Sequence, residues 1–340
     1  MEEVTKRHFF EHGKLEPESA ERLSCHLCQI RSFATHKKLP ITIVNETGDG
    51  ATIPPTFRFI DHSILRDGVE AAGDEFRSGC DCANDDDCMY GTCLCLQAMA
   101  SDSESDDERR PIARQRKKRF AYYSSGMKSG LLRSRILNSL EPIYECHQSC
   151  NCSKQCPNRV VDRGRTIPLQ IFRTDNQRGW GVRSTVDIKK GQYVDCYLGE
   201  VITSEEANRR RNESGTSITT RHKDVYLFAL DKFMNEESPD PRLRGDPLEV
   251  DGEFMGGPTR FINHSCDPNM RIFARVGDQA DMHIHDLAFF AIKDIDRLTE
   301  LTFDYQNGQQ DLDNDAHNPK LKSHMTKCRC GSKRCRGYLW

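Results

Sequence analysis

Residues 260–269 read RFINHSCDPN, and residues 300–305 read ELTFDY. Two shorter strings precede them, RGWG at 178–181 and YLGE at 197–200. Taken singly, each has an ordinary structural interpretation, because NHSCDPN suits a polar turn and ELTFDY an alternating edge strand with aromatic core positions. The chain carries no glycine-rich phosphate loop, HExxH pair or nucleophile elbow, so NTPase, zincin and serine-hydrolase functions lack support.

Around these strings, the sequence predicts short strands separated by turns. One helix is well signalled at Ser204–Asn212, where Thr203 is the expected N-cap and Glu206 completes a capping box. Parallel βαβ alternation is missing, so the predicted fold class is mainly β with short helices. The predicted strands are Ile167–Phe172, Tyr193–Ile202, Val225–Leu230, Asp286–Ile292 and Glu300–Tyr305.

Composition excludes several classes of protein. The chain has 340 residues, of which 36% are hydrophobic and 30% charged, which suggests two or three modules with a sparse apolar core. Lys+Arg of 49 against Asp+Glu of 52 gives a net charge of −3, so no direct sequence-specific nucleic-acid binding is expected. The longest apolar run, residues 287–292, is far shorter than the ~18 residues of a membrane span. The charged N-terminus has no apolar signal-peptide region.

Sixteen cysteines dominate the remaining pattern. Without a secretory signal the compartment is reducing, which favours metal binding over the alternative of a disulfide framework. C-x-C spacing is unusual for a separate zinc site but suits neighbouring ions that share thiolates. Nine thiolates satisfy three tetrahedral zinc ions if three of them bridge. The predicted ligands of this cluster are Cys80, Cys82, Cys88, Cys93, Cys95, Cys146, Cys150, Cys152 and Cys156.

The other cysteines fall into two groups. Cys328, Cys330 and Cys335 need a fourth ligand, and Cys266 is the best candidate, which predicts a fourth, structural zinc. A three-ligand catalytic zinc is the alternative. Cys25 and Cys28 could form a further site with His26 or His36, and Cys196 is expected to be a packed strand thiol.

Taken together and in this order, the nine cysteines, RGWG, YLGE, RFINHSCDPN, ELTFDY and CxCx4C resemble the SET-domain histone lysine methyltransferases of the heterochromatin class. The stretch CHLCQIRSFATH further resembles their filamentous-fungal members. The resemblance implies a pseudoknotted SET fold in which RFINHS and ELTFDY thread one another. It implies an N-terminal extension (1–56), a pre-SET zinc-cluster domain (57–160), a SET domain (161–308) and a post-SET segment (309–340).

Within the pre-SET domain, a charged insertion at about 100–118 is expected to be disordered and solvated. A nuclear-localisation role of its basic run, Arg114–Arg119, is the alternative.

The resemblance also assigns roles to single residues. Tyr197 and Tyr305 are the implied catalytic tyrosines, Phe303 occupies the position that governs how many methyl groups are added, and Asp231 is an implied substrate contact. The terminal residues Leu339 and Trp340 would close over the cofactor, S-adenosylmethionine. Its other implied contacts are Arg178, Gly179, Trp180, Tyr226, Arg260, Asn263, His264 and Tyr305.

Chemical reasoning supports these residue types. A lysine with a pKa of ~10.4 is neutral in only about one molecule in two thousand at pH 7, and a dry channel favours the neutral amine. Tyrosine hydroxyls can orient that amine without a carboxylate that would stabilise the ammonium. Phe303 leaves volume for a methylated nitrogen, which predicts trimethylation.

The implied substrate is lysine 9 of the histone H3 tail, and the implied location is nuclear chromatin, where the enzyme would support heterochromatin formation. The tail could add as a strand to an exposed sheet edge. Residues 1–56 are a poor fit to a chromodomain, so a methyl-lysine reader would be a separate protein. Two alternatives remain, a methyltransferase for a non-histone lysine and a non-catalytic zinc-stabilised chromatin scaffold.

Overall fold

The computed structural model describes residues 12, 14–16, 19–97, 118–213, 226–306 and 325–339. The helices are α1 (Ala20–Ser24), α2 (His26–Ser32), α3 (Ser134–Leu137) and α4 (Ser204–Glu213). The strands are β1 (Ile41–Val44), β2 (Arg58–Phe59), β3 (Ile64–Leu65), β4 (Ile143–Tyr144), β5 (Leu169–Arg173), β6 (Trp180–Ser184), β7 (Tyr193–Tyr197), β8 (Glu200–Ile202), β9 (Leu227–Ala229), β10 (Glu249–Asp251), β11 (Met255–Gly256), β12 (Asn263–His264), β13 (Met270–Val276), β14 (Asp286–Ala291), β15 (Glu300–Phe303), β16 (Thr326–Lys327) and β17 (Tyr338–Leu339).

These short strands form several small sheets, which confirms the mainly β prediction. The largest has the order β1-β5-β6-β15-β12, so a strand of the N-terminal extension is paired directly with the SET region. Two four-stranded sheets have the orders β3-β8-β10-β9 and β4-β13-β14-β7, and the pairs β2–β11 and β16–β17 complete the set. Within the described residues, no helix combines the length and apolar character needed to cross a bilayer.

One predicted strand, Tyr193–Ile202, is wrong as a single element. It divides into β7 and β8, which belong to different sheets. Gly199 lies at the break, where a Cβ atom would lie far inside van der Waals contact distance of the carbonyl oxygen of Asp251, so any side chain there would collide with backbone. A contact between residues so distant in sequence leaves no local signal.

The other elements match their predictions more closely. The helix begins at Ser204, and the Thr203 hydroxyl accepts a hydrogen bond from the Glu206 amide at 3.2 Å, as expected of an N-cap. The prediction that Glu206 completes a capping box is wrong, because its carboxylate accepts hydrogen bonds from Arg209 and Arg210 instead of from the Thr203 amide. Several positions lie outside the described residues: Val225, Trp340 and residues 98–117, which contain most of the charged insertion.

Two buried clusters form the core. The first packs around the β1-β5-β6-β15-β12 sheet and includes Phe303 and Tyr197. The second combines the nine pre-SET cysteines with aromatic side chains of the β4-β13-β14-β7 sheet, such as Phe273 and Phe290. The cysteine-rich region and the SET region therefore both contribute side chains to this second cluster, instead of meeting at a separable interface.

A fully buried carboxylate, Glu145, joins these two regions. Its oxygens accept hydrogen bonds from the backbone amides of residues 160–162 at 2.8–3.0 Å and from the Tyr122 hydroxyl at 2.5 Å. Arg275 of β13 contacts it through Nε at 3.1 Å and Nη2 at 3.0 Å. A buried charge with this many partners is stabilised, whereas removal of one partner leaves the opposite charge uncompensated.

Replacement of Glu145 is therefore expected to be severe. Glu145→Ala leaves the buried guanidinium of Arg275 and three backbone amides without this acceptor, and should lower the free energy of unfolding by about 3–5 kcal/mol. Tyr122→Phe removes one hydrogen bond and should cost about 1–2 kcal/mol. Urea unfolding of the metal-loaded protein measures both, and equal effects would contradict the central role of the carboxylate.

Candidate active site and metal centres

Parts of the RFINHSCDPN and ELTFDY segments lie side by side as the parallel strands β12 and β15. Asn263 of β12 pairs with Thr302 of β15, and His264 pairs with Phe303. Asn269 joins the same segments a second time, since its side chain donates to the Glu300 carbonyl and accepts from the Thr302 amide, both at 2.8 Å. This pairing brings residues separated by about forty positions to one place.

A cavity of about 440 Å³ opens next to this pairing. All the predicted cofactor contacts that the structure describes line it. Several further lining residues received no cofactor role from the sequence. Phe261 and Ile262 belong to RFINHSCDPN, Cys328 and Cys330 belong to the tail CxCx4C motif, and Pro54, Gln177, Thr326, Lys327 and Arg329 belong to no motif. The lining residues that were predicted are Arg178, Gly179, Trp180, Tyr226, Arg260, Asn263, His264, Tyr305 and Leu339.

Glu300 holds two of the side chains that line this cavity, Asn263 and Arg178. The side-chain amide of Asn263 donates to the Glu300 carboxylate at 2.8 Å and to the Trp180 carbonyl at 3.0 Å. Arg178 forms an ion pair with the other Glu300 oxygen. Glu300 received no role in the sequence analysis, although it begins the ELTFDY string, because nothing local shows that it will meet RGWG and RFINHS.

Arg260 forms another part of the wall. Its guanidinium donates to the carbonyls of Gly252 and Glu253, both at 3.2 Å. Its carbon Cζ lies 4.0 Å from the centre of the Tyr226 ring and 5.1 Å from that of Phe57. The cation is thus held between backbone carbonyls and aromatic faces, which fixes its position beside the cavity.

A second cavity, of about 350 Å³, lies on the other side of Tyr305. Asp231, Phe228, Phe303 and His285 contribute to its lining, so the predicted substrate contact is located there. Tyr305 lines both cavities. The two spaces therefore approach each other at one tyrosine ring.

A cluster of packed aromatic rings includes Tyr305 and two other residues that line the smaller cavity, Phe228 and Phe303. Tyr197 and Phe228 have ring centres 4.5 Å apart, and Phe303 follows at 5.8 Å from Phe228. Tyr305 lies 4.7 Å from Phe303, and Phe289 supports Phe303 from another side at 5.0 Å. Close packing of this kind fixes the rings and excludes water.

Backbone carbonyls hold both tyrosine hydroxyls. The Tyr197 hydroxyl donates to the Tyr226 carbonyl, and the Tyr305 hydroxyl to the Ile262 carbonyl, both at 2.9 Å. Burial raises the pKa of each tyrosine well above its usual value, so both remain neutral phenols. Gly252 crowds the Tyr197 hydroxyl so closely that any side chain there would collide with it.

His264 connects this region to the tail. Burial lowers the pKa of His264 to about 4, and its neutral ring accepts a hydrogen bond from the Tyr305 amide at Nδ1, 3.2 Å away. On its other side, Nε2 lies 3.3 Å from the sulfur of Cys266. Arg336 donates to the Asp304 carboxylate at 2.7 and 3.0 Å, so the tail is tied to the FDY segment as well.

The cysteines of the pre-SET region converge on one buried point. Sulfur atoms fall into three overlapping groups of four that could hold metal ions, and Cys80, Cys88 and Cys146 belong to more than one group. Cys82 lies outside these groups, but its thiol interacts with Cys80, Cys88 and Cys93. The groups are Cys80, Cys88, Cys93 and Cys146; Cys80, Cys95, Cys146 and Cys150; and Cys88, Cys146, Cys152 and Cys156.

The tail cysteines form a fourth group with Cys266, the partner that sequence reasoning selected. The four sulfurs lie within 4.8 Å of one another, and Cys266 is 3.8 Å from Cys328. Two thiolates on one tetrahedral zinc, each at ~2.3 Å, are separated by about 3.8 Å, so the donor set fits this metal. Cys196 lies apart from these groups in β7, where its sulfur contacts the Tyr193 hydroxyl at 3.2 Å.

The joined RFINHS and ELTFDY segments beside two cavities are the arrangement of a SET domain, and family models agree. The SET domain model matches residues 179–306, and the Pre-SET motif matches residues 33–159. A histone-lysine N-methyltransferase of Neurospora crassa, the H3 lysine-9 specific dim-5, is 65% identical over 340 residues, 100% of both chains. The chain belongs to the SET-domain histone-lysine N-methyltransferases.

Solved structures show the same relationship. A histone lysine methyltransferase studied for its product specificity matches with a TM-score of 0.73 and 61% identity, covering 89% of this chain and 100% of that one. KRYPTONITE, solved with mCHH DNA, an H3(1-15) peptide and SAH, matches with a TM-score of 0.65 and 25% identity over 95% of this chain and 55% of that one.

A binding measurement, without catalysis, can test whether the larger cavity holds the cofactor. Asn263→Ala removes the hydrogen bonds to Glu300 and Trp180, and a loss of about 1–2 kcal/mol should weaken S-adenosylhomocysteine binding roughly tenfold. Gln170→Ala, in β5 of the same sheet but away from the cavity, is the control. Isothermal titration calorimetry measures both affinities, and unchanged binding by Asn263→Ala would contradict the assigned cavity.

Proposed function

We propose that this chain transfers methyl groups from S-adenosylmethionine to lysine 9 of histone H3, and that it proceeds to the trimethyl state. The observation that carries the proposal is the meeting of two cavities at Tyr305. The larger would hold the cofactor among the residues of RGWG, RFINHS and the tail, and the smaller would receive the target lysine. The H3 lysine-9 specific relative, which is similar over the full length, supports the choice of substrate.

S-adenosylmethionine, when bound, supplies an activated methyl group on its sulfonium. The chain's own residues have to deliver a neutral, aligned lysine amine. Phe228, Phe303 and Tyr305 line the smaller cavity, and Tyr197 packs against Phe228; these aromatic rings exclude water and so disfavour the ammonium form. The neutral hydroxyls of the two tyrosines orient the amine, and positioning of this kind supplies most of the rate enhancement.

The nearby carboxylate of Asp304 does not stabilise the ammonium, because Arg336 occupies it. Asp304 lines the smaller cavity, and two guanidinium nitrogens of Arg336 bind its oxygens at 2.7 and 3.0 Å. This ion pair compensates the negative charge where a lysine has to lose its proton. The tail therefore contributes to the chemistry of the substrate side as well as to the cofactor cavity.

Phe303 supports the trimethyl product. Its buried ring packs against Phe289 and Phe228 and carries no hydroxyl that could bind a water molecule or the amine. A methylated nitrogen can therefore rotate and present its remaining lone pair. A tyrosine at this position would occupy that volume and hold the amine in one orientation.

The expected result is a change of product rather than a loss of activity. Wild-type protein should convert an H3 tail peptide to the trimethyl state at lysine 9, whereas Phe303→Tyr should stop at the mono- or dimethyl state. Mass spectrometry of the peptide, with S-adenosylmethionine in excess, measures the distribution. Unchanged trimethyl output from Phe303→Tyr would contradict the role of this residue.

Two controls separate the alternatives in the same assay. A peptide with lysine 9 replaced should remain unmodified, and Tyr305→Phe should lose most of the activity because it removes an orienting hydroxyl. Methylation of the replaced peptide would indicate another target lysine. No methylation by folded, zinc-loaded wild-type protein would favour a non-catalytic scaffold.

We further propose four structural zinc ions. Three would lie in the pre-SET cluster of nine cysteines, and one would lie between Cys266, Cys328, Cys330 and Cys335. Sulfur separations of 3.8 and 3.9 Å from Cys80 to Cys88 and to Cys146 match the separation expected for thiolates that share a zinc. The three cysteines that belong to several groups are the natural bridging ligands, because nine thiolates satisfy three ions only if three are shared.

Zinc content tests this arrangement directly. Native mass spectrometry should find at least four zinc ions per chain, and Cys335→Ser should lose one of them and weaken cofactor binding, because its neighbours Cys328 and Cys330 line the cofactor cavity. Cys196→Ser is the matched control and should keep the wild-type zinc content. A content of no more than one zinc in the pre-SET region would exclude the cluster.

We also propose a division into four segments and a role on chromatin. The chain would consist of an extension (1–56), a pre-SET domain (57–160), a SET domain (161–308) and a post-SET segment (309–340). It would act on chromatin in the nucleus, bind the basic H3 tail with the help of Asp231 in the smaller cavity, and support heterochromatin formation. A separate protein would read the methylated lysine.

A further inference from the structure

A further group of metal-binding side chains lies in the N-terminal segment, apart from the thirteen cysteines assigned above. The sulfur atoms of Cys25 and Cys28 and a ring nitrogen of His12 lie within 4.8 Å of one another. All three side chains are half-buried. C-x2-C spacing lets two sulfurs converge on a single ion, as in many zinc sites.

The local backbone explains this convergence. Cys25 is extended, with φ −84° and ψ 116°, and separates α1 from α2. Its carbonyl accepts the first hydrogen bond of α2, from Gln29 at 3.0 Å, so Cys25 precedes the helix and Cys28 lies in its first turn. Both thiols therefore project from the same turn, and His12 approaches them from an earlier part of the chain.

The separation of the donors is that of a zinc site. His12 Nδ1 lies 3.5 Å from the sulfur of Cys28. A nitrogen at ~2.1 Å and a sulfur at ~2.3 Å from one tetrahedral zinc are about 3.6 Å apart. His26, one of the two histidines that the sequence analysis considered as partners, instead lies with Nε2 2.8 Å from the Phe57 carbonyl.

We propose that Cys25, Cys28 and His12 bind a zinc ion, with a fourth position open to water or another donor. The ion closes the chain between residues 12 and 28, where burial contributes little, since α1 has no buried residue. Metal ligation supplies folding energy that a segment of this composition lacks.

Two other side chains of α2 show what this closure would stabilise. Ile30 is fully buried, and the side-chain oxygen of Gln29 accepts a hydrogen bond from the Phe59 amide at 2.9 Å. Phe57 connects α2 to the cavity. Its backbone carbonyl contacts His26, and its ring lies under the guanidinium of Arg260, which lines the proposed cofactor cavity. The zinc would thus order a helix that packs behind this wall.

The metal content of matched variants tests the proposal, and it does so independently of methyl transfer. Native mass spectrometry of the full chain should show one zinc fewer in Cys25→Ser/Cys28→Ser than in wild type. Cys196 belongs to none of the metal-binding groups, so Cys196→Ser should keep the wild-type zinc content. His12→Gln should release one zinc to a chelator faster than wild type does.

Hydrogen exchange provides a second readout. Amides of α2 should exchange roughly tenfold faster in Cys25→Ser/Cys28→Ser, and those of β13 should be unchanged. Equal zinc content in wild type and the double variant would overturn the proposal. A Cys25–Cys28 disulfide in protein purified under reducing conditions, detected by peptide mapping, would also overturn it.

Discussion

The parallel pairing of β12 with β15 is the constraint on which the rest of the site depends. Only two residue pairs form it, Asn263 with Thr302 and His264 with Phe303, yet its continuations supply residues of both cavities and of the tail cysteine group. Before the pairing the chain provides Arg260, and after it come Cys266 on one strand and Tyr305 on the other. Because so short a ladder is weak by itself, side-chain contacts reinforce it. Asn269 is hydrogen-bonded to both segments, and Glu300 accepts a hydrogen bond from Asn263 and forms an ion pair with Arg178.

Clustered cysteines and a buried ion pair connect the pre-SET region to the SET region, in addition to apolar packing. The pre-SET cysteines lie in the same buried cluster as Phe273 and Phe290 of the SET sheet, so the proposed metal cluster is a part of the common core. Glu145 contributes in a different way, by joining the amides of residues 160–162 to Arg275 of β13. Both devices depend on complete ligation or hydrogen bonding, because a half-satisfied buried group destabilises the protein.

The sequence predicted the parts of the site that depend on motifs and failed where long-range contacts decide. Cysteine spacing pointed to Cys266 as the partner of the tail cysteines, since three ligands require a fourth, and the four sulfur atoms lie together in the structure. Every described residue that the family resemblance implied as a cofactor contact lines one cavity, whereas Phe303 and Asp231 line the other. By contrast, the break at Gly199 is set by the approach of Asp251, and the role of Glu300 by its meeting with Asn263. His12 was overlooked for the same reason, because no local pattern joins it to Cys28.

In the proposed enzyme, cofactor binding and metal binding in the tail would be thermodynamically coupled. Cys328 and Cys330 belong to the four-sulfur group and also line the larger cavity. An ion that fixes these cysteines would lower the entropy cost of ordering the cavity wall, and a ligand in the cavity would in turn stabilise the ion, because linkage is reciprocal. Arg336 extends the coupling to the substrate side through Asp304. The described part of the tail, residues 325–339, therefore connects the four-sulfur group with the larger cavity and, through Arg336 and Asp304, with the smaller one.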